Sequence, residues 1–232
     1  MKLKQVGLSL LLVAASRVLA GQGEEAGAEY AYRWRPQQGG PADGKAVLAL
    51  LGQPLQKMDQ VLVQYYTVEP PKDAPAGFTA ILRQRSRPDG SKAEVTWKYR
   101  GEQGFPDGDW HCPLKGKAKQ KREVDVAVLA GGEARKAYSL SCTVKGTVAE
   151  VVPAKRQPKA KGCSNPVQRF EGDSVDVEAW QLASGLVLEV SRKQPDGAAE
   201  LADFQHAVVD RLSAAGAQAL GGSKSLLGSE CS

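Results

Sequence analysis

The residues best suited to chemistry lie in one stretch of alternating charges at residues 77–101, GFTAILRQRSRPDGSKAEVTWKYRG. Arg83 and Arg85 precede a segment with turn chemistry, and Lys98 and Arg100 follow it. Because side chains alternate between the two faces of a strand, a hairpin here places all four cations on one sheet face. Four cations on one face repel each other. We therefore expect carboxylates, water or a bound anion to compensate them.

Carboxylates with the same alternation occur in other segments of the chain. Glu29 and Arg33 share a face in AEYAYRWRP, and Glu123 and Asp125 share one in KREVDVAVL. In both segments the opposite face is apolar. An open antiparallel sheet with one solvated face produces this pattern, and so does a closed barrel with a charged interior. In a closed barrel the acids and bases would face one another, and unpaired charges there need water, metal or an anionic ligand.

The remaining segments predict many strands and few helices. Besides the hairpin, strands are expected in AEYAYRW, QVLVQYYTV, KREVDVAVL, KAYSLSCTVKG, GTVAEVV and on either side of LASG. Helices are expected in KAVLALLGQ and in GAAELADFQHAVVDRLSAAGA, and a Pro/Lys linker is expected from 153 to 162. The fold class that follows is α+β, with an antiparallel β-barrel or strongly curved sheet.

The order of the charged motifs resembles that of CYTH domains, the triphosphate tunnel metalloenzymes. The segments that carry the resemblance are, in order, EYAYR, LRQR, TWKYR, REVDV and LVLEVSRK. Each motif is short, and the resemblance lies in the order of all five over most of residues 29–216. It implies a CYTH-like β-tunnel with helices packed outside.

The resemblance also implies roles for individual side chains. In that family, basic residues bind the phosphate chain and carboxylates hold a divalent metal. The positions that correspond to anion-binding residues are Arg33, Arg83, Arg85, Lys98 and Arg100. The positions that correspond to ligands of Mg or Mn are Glu29, Glu123, Asp125 and Glu189.

The sequence departs from the family pattern at two acidic positions. Ala31 stands where the family has its second glutamate, and Ser191 stands where the last acid of a Glu-x-Glu pair would lie. Arg33 also replaces a lysine. Fewer oxygen ligands predict weaker binding of Mg²⁺, so fold resemblance does not by itself carry the activity.

The first residues predict export. Residues 1–20 combine Lys2 and Lys4, an apolar run and small residues that end at Ala20, as in a secretory signal peptide. The run is too short to span a bilayer, so we expect a mature chain without a transmembrane segment, secreted or periplasmic. We expect residues 21–28 to be loose, a single domain at 29–220, and a tail at 221–232.

The cysteine count agrees with an oxidising compartment. An even number in an exported chain predicts two disulfides with three possible connectivities. We favour Cys112–Cys142 and Cys163–Cys231.

Three function hypotheses remain at this point. The first is an exported binding protein for a phosphorylated or polyanionic small molecule, with weak or no catalysis. The second is a Mg- or Mn-dependent phosphohydrolase of the triphosphatase type. The third is an envelope or secreted structural protein without a ligand. The basic segments KGKAKQKR and PAKRQPKAKG lack interleaved aromatic residues, so no nucleic-acid partner is expected.

Overall fold

The computed structural model describes residues 27–158 and 160–229. The predicted signal peptide, its cleavage site and residues 21–26 lie outside the described residues. Nine strands dominate the described part of the chain: β1 Gly27–Trp34, β2 Lys57–Thr67, β3 Thr79–Ser86, β4 Glu94–Gly101, β5 Lys119–Val128, β6 Ala134–Lys145, β7 Ala160–Glu171, β8 Asp176–Leu182 and β9 Gly185–Gln194.

The strands form a closed barrel in the order β1-β5-β6-β4-β3-β2-β7-β8-β9. The predicted barrel is therefore confirmed. It is mixed rather than wholly antiparallel, because β1 pairs with β5 in parallel. A closed ring with an odd number of strands cannot have antiparallel neighbours throughout, so at least one parallel pair is required. The predicted hairpin is β3–β4, in which Arg83 lies opposite Thr96 and Arg85 lies opposite Glu94.

Five α-helices accompany the strands in the described part of the chain, and the first four cover parts of the outer surface. They are α1 Gly44–Leu51, α2 Val148–Val151, α3 Ala198–Phe204, α4 Asp210–Ala214 and α5 Lys224–Leu227, with a π-helical turn at Gln205–Val209 joining α3 to α4. The α3–α4 segment buries Phe204, Val208 and Leu212. Their spacing of three to four residues is that of one helix face.

The apolar faces of the strands point outward, against these helices. Trp34 is fully buried in one cluster with Phe204 and Leu212, and Trp97 is fully buried in a second cluster with Val148. The ring of Tyr30 lies 5.9 Å from that of Phe204. Since the apolar residues occupy the outer face, alternation leaves the charged residues of the same strands inside the barrel.

Two predicted segments have a different structure. GTVAEVV was expected to be a strand because of its β-branched residues, but it forms α2. Thr147 and Glu150 make a capping box at its start, which satisfies backbone donors and begins a helical turn. The predicted Pro/Lys linker contains the start of β7, which pairs with β2 and β8. Pro166 lies within β7, and proline ordinarily argues against a strand with neighbours on both sides.

The ends of the folded region also differ from the expected 29–220. β1 begins at Gly27, inside the segment that was expected to be loose. The expected tail contains α5, in which Leu227 packs against an interior apolar cluster formed by Val61, Val63, Tyr65, Val167, Trp180, Leu182 and Val187. Asn165 donates a hydrogen bond to the carbonyl oxygen of Gly228 at 2.8 Å. The C-terminal segment is therefore part of the barrel's packing.

The favoured disulfide Cys112–Cys142 is present, with a Cα–Cα distance of 5.8 Å. Cys163 is also disulfide-bonded, whereas Cys231 lies outside the described residues, so the second pairing stays a prediction. Within the described ranges, no helix is long and apolar enough to cross a membrane.

The Cys112–Cys142 bond closes a loop with a sequence separation of 30 residues. Replacing both cysteines by alanine is expected to lower the free energy of unfolding by about 2–4 kcal/mol, because the unfolded chain regains the entropy of an open loop. Urea denaturation under non-reducing conditions measures this change. An unaltered urea midpoint would contradict the assignment of a stabilising role to this bond.

Candidate functional site: a charged tunnel

The barrel interior contains a cavity of about 340 Å³ whose lining includes ten basic and five acidic side chains. The basic residues are Arg33, Arg83, Arg85, Lys98, Arg100, Lys119, Lys121, Arg169, Lys193 and Lys224. The acidic residues are Glu29, Glu94, Glu123, Asp125 and Glu178. All five predicted anion-binding residues therefore converge on one cavity, together with three of the four predicted metal ligands. We call this cavity the tunnel.

Three carboxylates form a cluster on the neighbouring strands β1 and β5. Glu29, Glu123 and Asp125 each have a carboxylate oxygen within 4.8 Å of the others. Burial raises the pKa of Glu123, and the negative charge of Glu29 raises it further, while Lys98 opposes the change. The cluster therefore carries a repulsive interaction that a cation or a proton would relieve.

Asp125 is the member of this cluster with basic partners. The Lys98 ammonium lies 2.8 Å from its Oδ2 and Arg100 lies 3.6 Å from the same atom, to which Ser139 also donates a hydrogen bond. Burial alone would raise the pKa of Asp125, but the two cations and the hydrogen bonds outweigh burial and lower it. Asp125 is therefore held ionised and in a fixed position.

Glu189, the fourth predicted metal ligand, lies apart from the cluster. Its side chain is only 1% exposed and pairs with Arg33. The Lys224 ammonium lies 2.5 Å from its Oε1. Because two cations already contact this buried carboxylate, it is not a member of the three-carboxylate group.

Glu178 on β8 is a tunnel acid that the sequence analysis missed. It lies opposite Glu189 in the β8–β9 register. Three cations contact it: Lys224 at 3.0 Å, and Arg85 and Arg169 at 3.6 Å each. Burial would raise the pKa of Glu178, but Lys224 and Arg85 in particular outweigh burial and lower it. Lys224, from the expected tail, thus bridges the buried Glu189 and the half-buried Glu178 and has a raised pKa in consequence.

The two positions without the family's acids are neighbours in space. Ala31 on β1 lies opposite Ser191 on β9. These two positions lie next to Glu29 and its cross-strand partner Lys193.

Some tunnel cations have no carboxylate within 4.0 Å among residues 27–158 and 160–229. They are Arg83, Lys119, Lys121 and Lys193. Within the described ranges, the guanidinium of Arg83 donates only to Thr96 Oγ1, at 3.4 Å. Burial lowers the pKa of the neighbouring Arg85, and the positive charge of Arg83 lowers it further. The Nε of Arg85 is also buried without a hydrogen-bond partner in the described part of the chain.

An aromatic pair of the interior apolar cluster lies beside the charged residues of the tunnel. The rings of Tyr65 and Trp180 stack with centroids 6.4 Å apart, and the Lys224 ammonium lies 5.9 Å from the Trp180 centroid. Burial raises the pKa of Tyr65, although Arg83 and Lys224 oppose the change. A displacement of α5 is therefore expected to change the fluorescence of Trp180.

Several of the missed tunnel residues had a signal in the sequence. Lys119 and Lys121 continue the two-residue alternation of Glu123 and Asp125 along β5, and Lys193 continues that of Glu189 along β9. Arg169 and Lys224 had none, because Arg169 lies in a stretch without a predicted element and Lys224 lies in the predicted tail. Their place in the tunnel depends on packing between distant segments.

Comparisons with solved structures find similar folds at low sequence identity. The PH1012 protein of Pyrococcus horikoshii matches with a TM-score of 0.46 and 12% identity, over 86% of this chain and 98% of the other. The PH1819 protein of the same organism matches with a TM-score of 0.45 and 10% identity, over 86% and 96%. No family model matches the sequence, and neither does any curated protein. Identities and scores this low assign neither a family nor an activity.

The Lys224 bridge generates a stability prediction. Replacing Lys224 by methionine leaves Glu178 and Glu189 without their shared cation. We expect the free energy of unfolding at pH 7 to fall by about 2–4 kcal/mol, somewhat below the usual cost of breaking a buried pair because the lysine side chain keeps 23% exposure. Urea denaturation followed by tryptophan fluorescence measures it, and Trp180 reports the displacement of α5.

The pH dependence of this effect follows from the lowered pKa of Glu178. Its ion pairs stabilise the fold above the ordinary glutamate pKa of about 4.3, and this contribution is lost as the pH falls below that value. The gap between the wild type and Lys224→Met should therefore shrink from pH 7 to pH 3. Lys193→Met is the matched control, with an expected change below about 0.5 kcal/mol. An equal loss in both variants would refute a specific role for Lys224.

The carboxylate cluster generates a prediction of the opposite sign. Because Glu123 has a raised pKa, its ionised form destabilises the fold at neutral pH. Glu123→Gln is expected to raise the melting temperature in chelator-treated buffer by about 2–4 °C, a gain that disappears as the pH falls and the wild-type carboxylate takes up a proton. Asp125→Asn should lower the melting temperature instead, since it removes the partner of Lys98 and Arg100. Thermal unfolding by circular dichroism distinguishes the two signs.

Proposed function

We propose that this protein is an exported, CYTH-like binding protein that holds a phosphorylated or polyanionic small molecule in its basic tunnel, with weak or no catalysis. The observation that carries the proposal is the set of tunnel cations without carboxylate partners among the described residues, above all Arg83. Phosphate oxygens accept hydrogen bonds from guanidinium groups in a bidentate geometry and offset their charge.

The proposed role of each tunnel cation depends on whether a carboxylate already contacts it. Arg83, Lys119, Lys121 and Lys193 are available to an anion without breaking an ion pair. Lys98 and Arg100 share Asp125, so they keep part of their positive charge for a ligand. Arg33 and Arg85 are tied to Glu189 and Glu178, and their proposed role is to hold the wall of the site in position.

The three-carboxylate cluster fits a hard divalent cation. Glu29, Glu123 and Asp125 supply oxygen ligands, which Mg²⁺ and Mn²⁺ prefer, and the repulsion that raises the pKa of Glu123 is relieved by a cation. A metal held there would offset charge on phosphoryl oxygens. Glu189 is excluded from the proposed metal ligands because Arg33 and Lys224 contact its carboxylate.

Metal-dependent phosphohydrolysis is the second candidate, and the same cluster is the observation that favours it. Against it stands the opposed pair Ala31 and Ser191, which leaves one flank of the tunnel without the carboxylates of the family pattern. Binding without turnover needs only the cations, whereas hydrolysis also needs groups that position the attacking water. Binding therefore does not depend on acidic residues at positions 31 and 191, whereas hydrolysis would be weakened by their absence.

The proposed export is supported by two observations. The N-terminal sequence has the pattern of a signal peptide, and the Cys112–Cys142 disulfide belongs to an oxidising compartment. The proposed partner is thus a small molecule of the periplasm or the exterior.

Calorimetric titration of the oxidised mature protein with tripolyphosphate tests the proposal. We expect binding that weakens with added salt, because the contacts are electrostatic. Arg83→Met should weaken binding at least tenfold. Arg87→Met is the matched control, because it removes the same charge at a residue that lies in the exposed turn of the same hairpin and does not line the tunnel.

Phosphate release measured in the same samples with Mg²⁺ or Mn²⁺ separates the candidates. Binding without release supports the binding protein. Release that is lost in Glu123→Gln would favour the phosphohydrolase. Neither binding nor release would leave the structural hypothesis, and equal weakening by Arg83→Met and Arg87→Met would indicate nonspecific charge attraction.

A further inference from the structure

A second, larger cavity of about 760 Å³ adjoins the tunnel. Arg33, Tyr65, Ile81, Arg100 and Ala127 line both cavities. Since the two share these walls, a ligand in the tunnel that extends past Arg33 and Arg100 enters the second cavity. We call the second cavity the outer chamber. Its volume lies in the range of ordinary small-molecule sites.

The outer chamber is lined by two leucines that do not line the tunnel. Leu226 of α5 and Leu129, which follows β5, join Ile81 and Ala127 in its lining. Leu226 is 57% exposed, the most exposed of the three large exposed hydrophobic residues of the described chain. A leucine that is exposed inside a concave chamber leaves apolar surface in contact with water, and a ligand with an apolar group would remove it.

The chamber lining also includes basic residues of β6, one of which is the cross-strand neighbour of Ala127. They are Arg135 and Lys136, and each pairs with a carboxylate near the surface, Glu133 at 3.2 Å and Asp196 at 2.7 Å. Arg100, at the boundary with the tunnel, lies 3.6 Å from Asp125. A bare polyphosphate would meet cations along the tunnel but apolar side chains in the chamber. The lining therefore changes in character along one continuous path, from cationic to amphipathic.

We infer that the ligand is an organic phosphate ester, with its phosphate groups in the tunnel and an apolar group in the outer chamber against Leu226, Leu129 and Ile81. This inference rests on the proposed function and narrows its ligand class. Inorganic polyphosphate would satisfy the tunnel alone. An ester with an apolar group satisfies both cavities at once, and the shared residues Arg33 and Arg100 lie where the two parts of the ligand would join.

Calorimetric titrations with inorganic pyrophosphate, methyl diphosphate and n-hexyl diphosphate test the inference on the oxidised mature protein. Each methylene that the chamber buries should tighten binding about fourfold, from a transfer free energy of about 0.8 kcal/mol. We therefore expect n-hexyl diphosphate to bind at least tenfold more tightly than methyl diphosphate. Leu226→Ser should reduce the ratio of the two affinities about fourfold and leave the affinity for pyrophosphate unchanged.

Leu55→Ser is the matched control, because Leu55 is also an exposed leucine, at 43%, and lies outside both cavities. Leu129→Ser serves as a second chamber variant if Leu226→Ser disturbs α5. Pyrophosphate binding with equal affinities for the methyl and hexyl esters would overturn this inference and leave the proposed function standing. A hexyl gain that survives both chamber substitutions would overturn the assignment to the chamber. Failure of all three compounds to bind would overturn the inference together with the proposed function.

Discussion

Charges enclosed by a barrel must be compensated, and this constraint organises the interior of the protein. Side chains that alternate along nine strands are brought within a few ångströms of each other when the sheet closes. Most of the acids are then matched: Asp125 by Lys98 and Arg100, and Glu178 and Glu189 by Lys224 and the arginines around them. Unpaired charges at this depth are costly unless water or a ligand reaches them. The cations without a carboxylate partner among the described residues therefore line the cavity, which water or a ligand can enter.

Closure of the barrel also separates two groups of acidic residues, which differ in whether cations contact them. On the β8–β9 side, carboxylates are used internally, as anchors for Arg33, Arg85 and the C-terminal segment. On the β1–β5 side, Glu29 and Glu123 lack such anchors in the described structure, and the negative charge of Glu29 raises the pKa of Glu123. Ala31 on β1 and Ser191 on β9 lie opposite one another, where the two sides meet. The proposed anion-binding side chains are thus better represented in the tunnel than the carboxylates that the CYTH-like pattern predicts.

The C-terminal segment links stability to the site. Helix α5 contributes Lys224 to the buried acids, Leu227 to the interior apolar cluster and Leu226 to the outer chamber. Four helical residues would not form a stable helix alone in water. Their conformation depends on these contacts, so the residues that complete the tunnel wall also complete the packing of the barrel.

Alternation along the strands was sufficient to predict much of the fold and the site. It assigned Arg33, Arg83, Arg85, Lys98, Arg100, Glu123 and Asp125 to one face, because a two-residue period is a local property of extended backbone. It failed for GTVAEVV, which was expected to be a strand and begins a helix with the capping box of Thr147 and Glu150. The partners of the charged side chains could not be assigned from the chain alone. β7 with Pro166, Glu178 opposite Glu189, and Lys224 between them become neighbours only when the ring closes. A two-residue period in the chain is thus enough to predict which side chains share a strand face. Which charges neutralise each other follows only from the closed barrel, because ion pairing depends on distances between segments that are far apart in the chain.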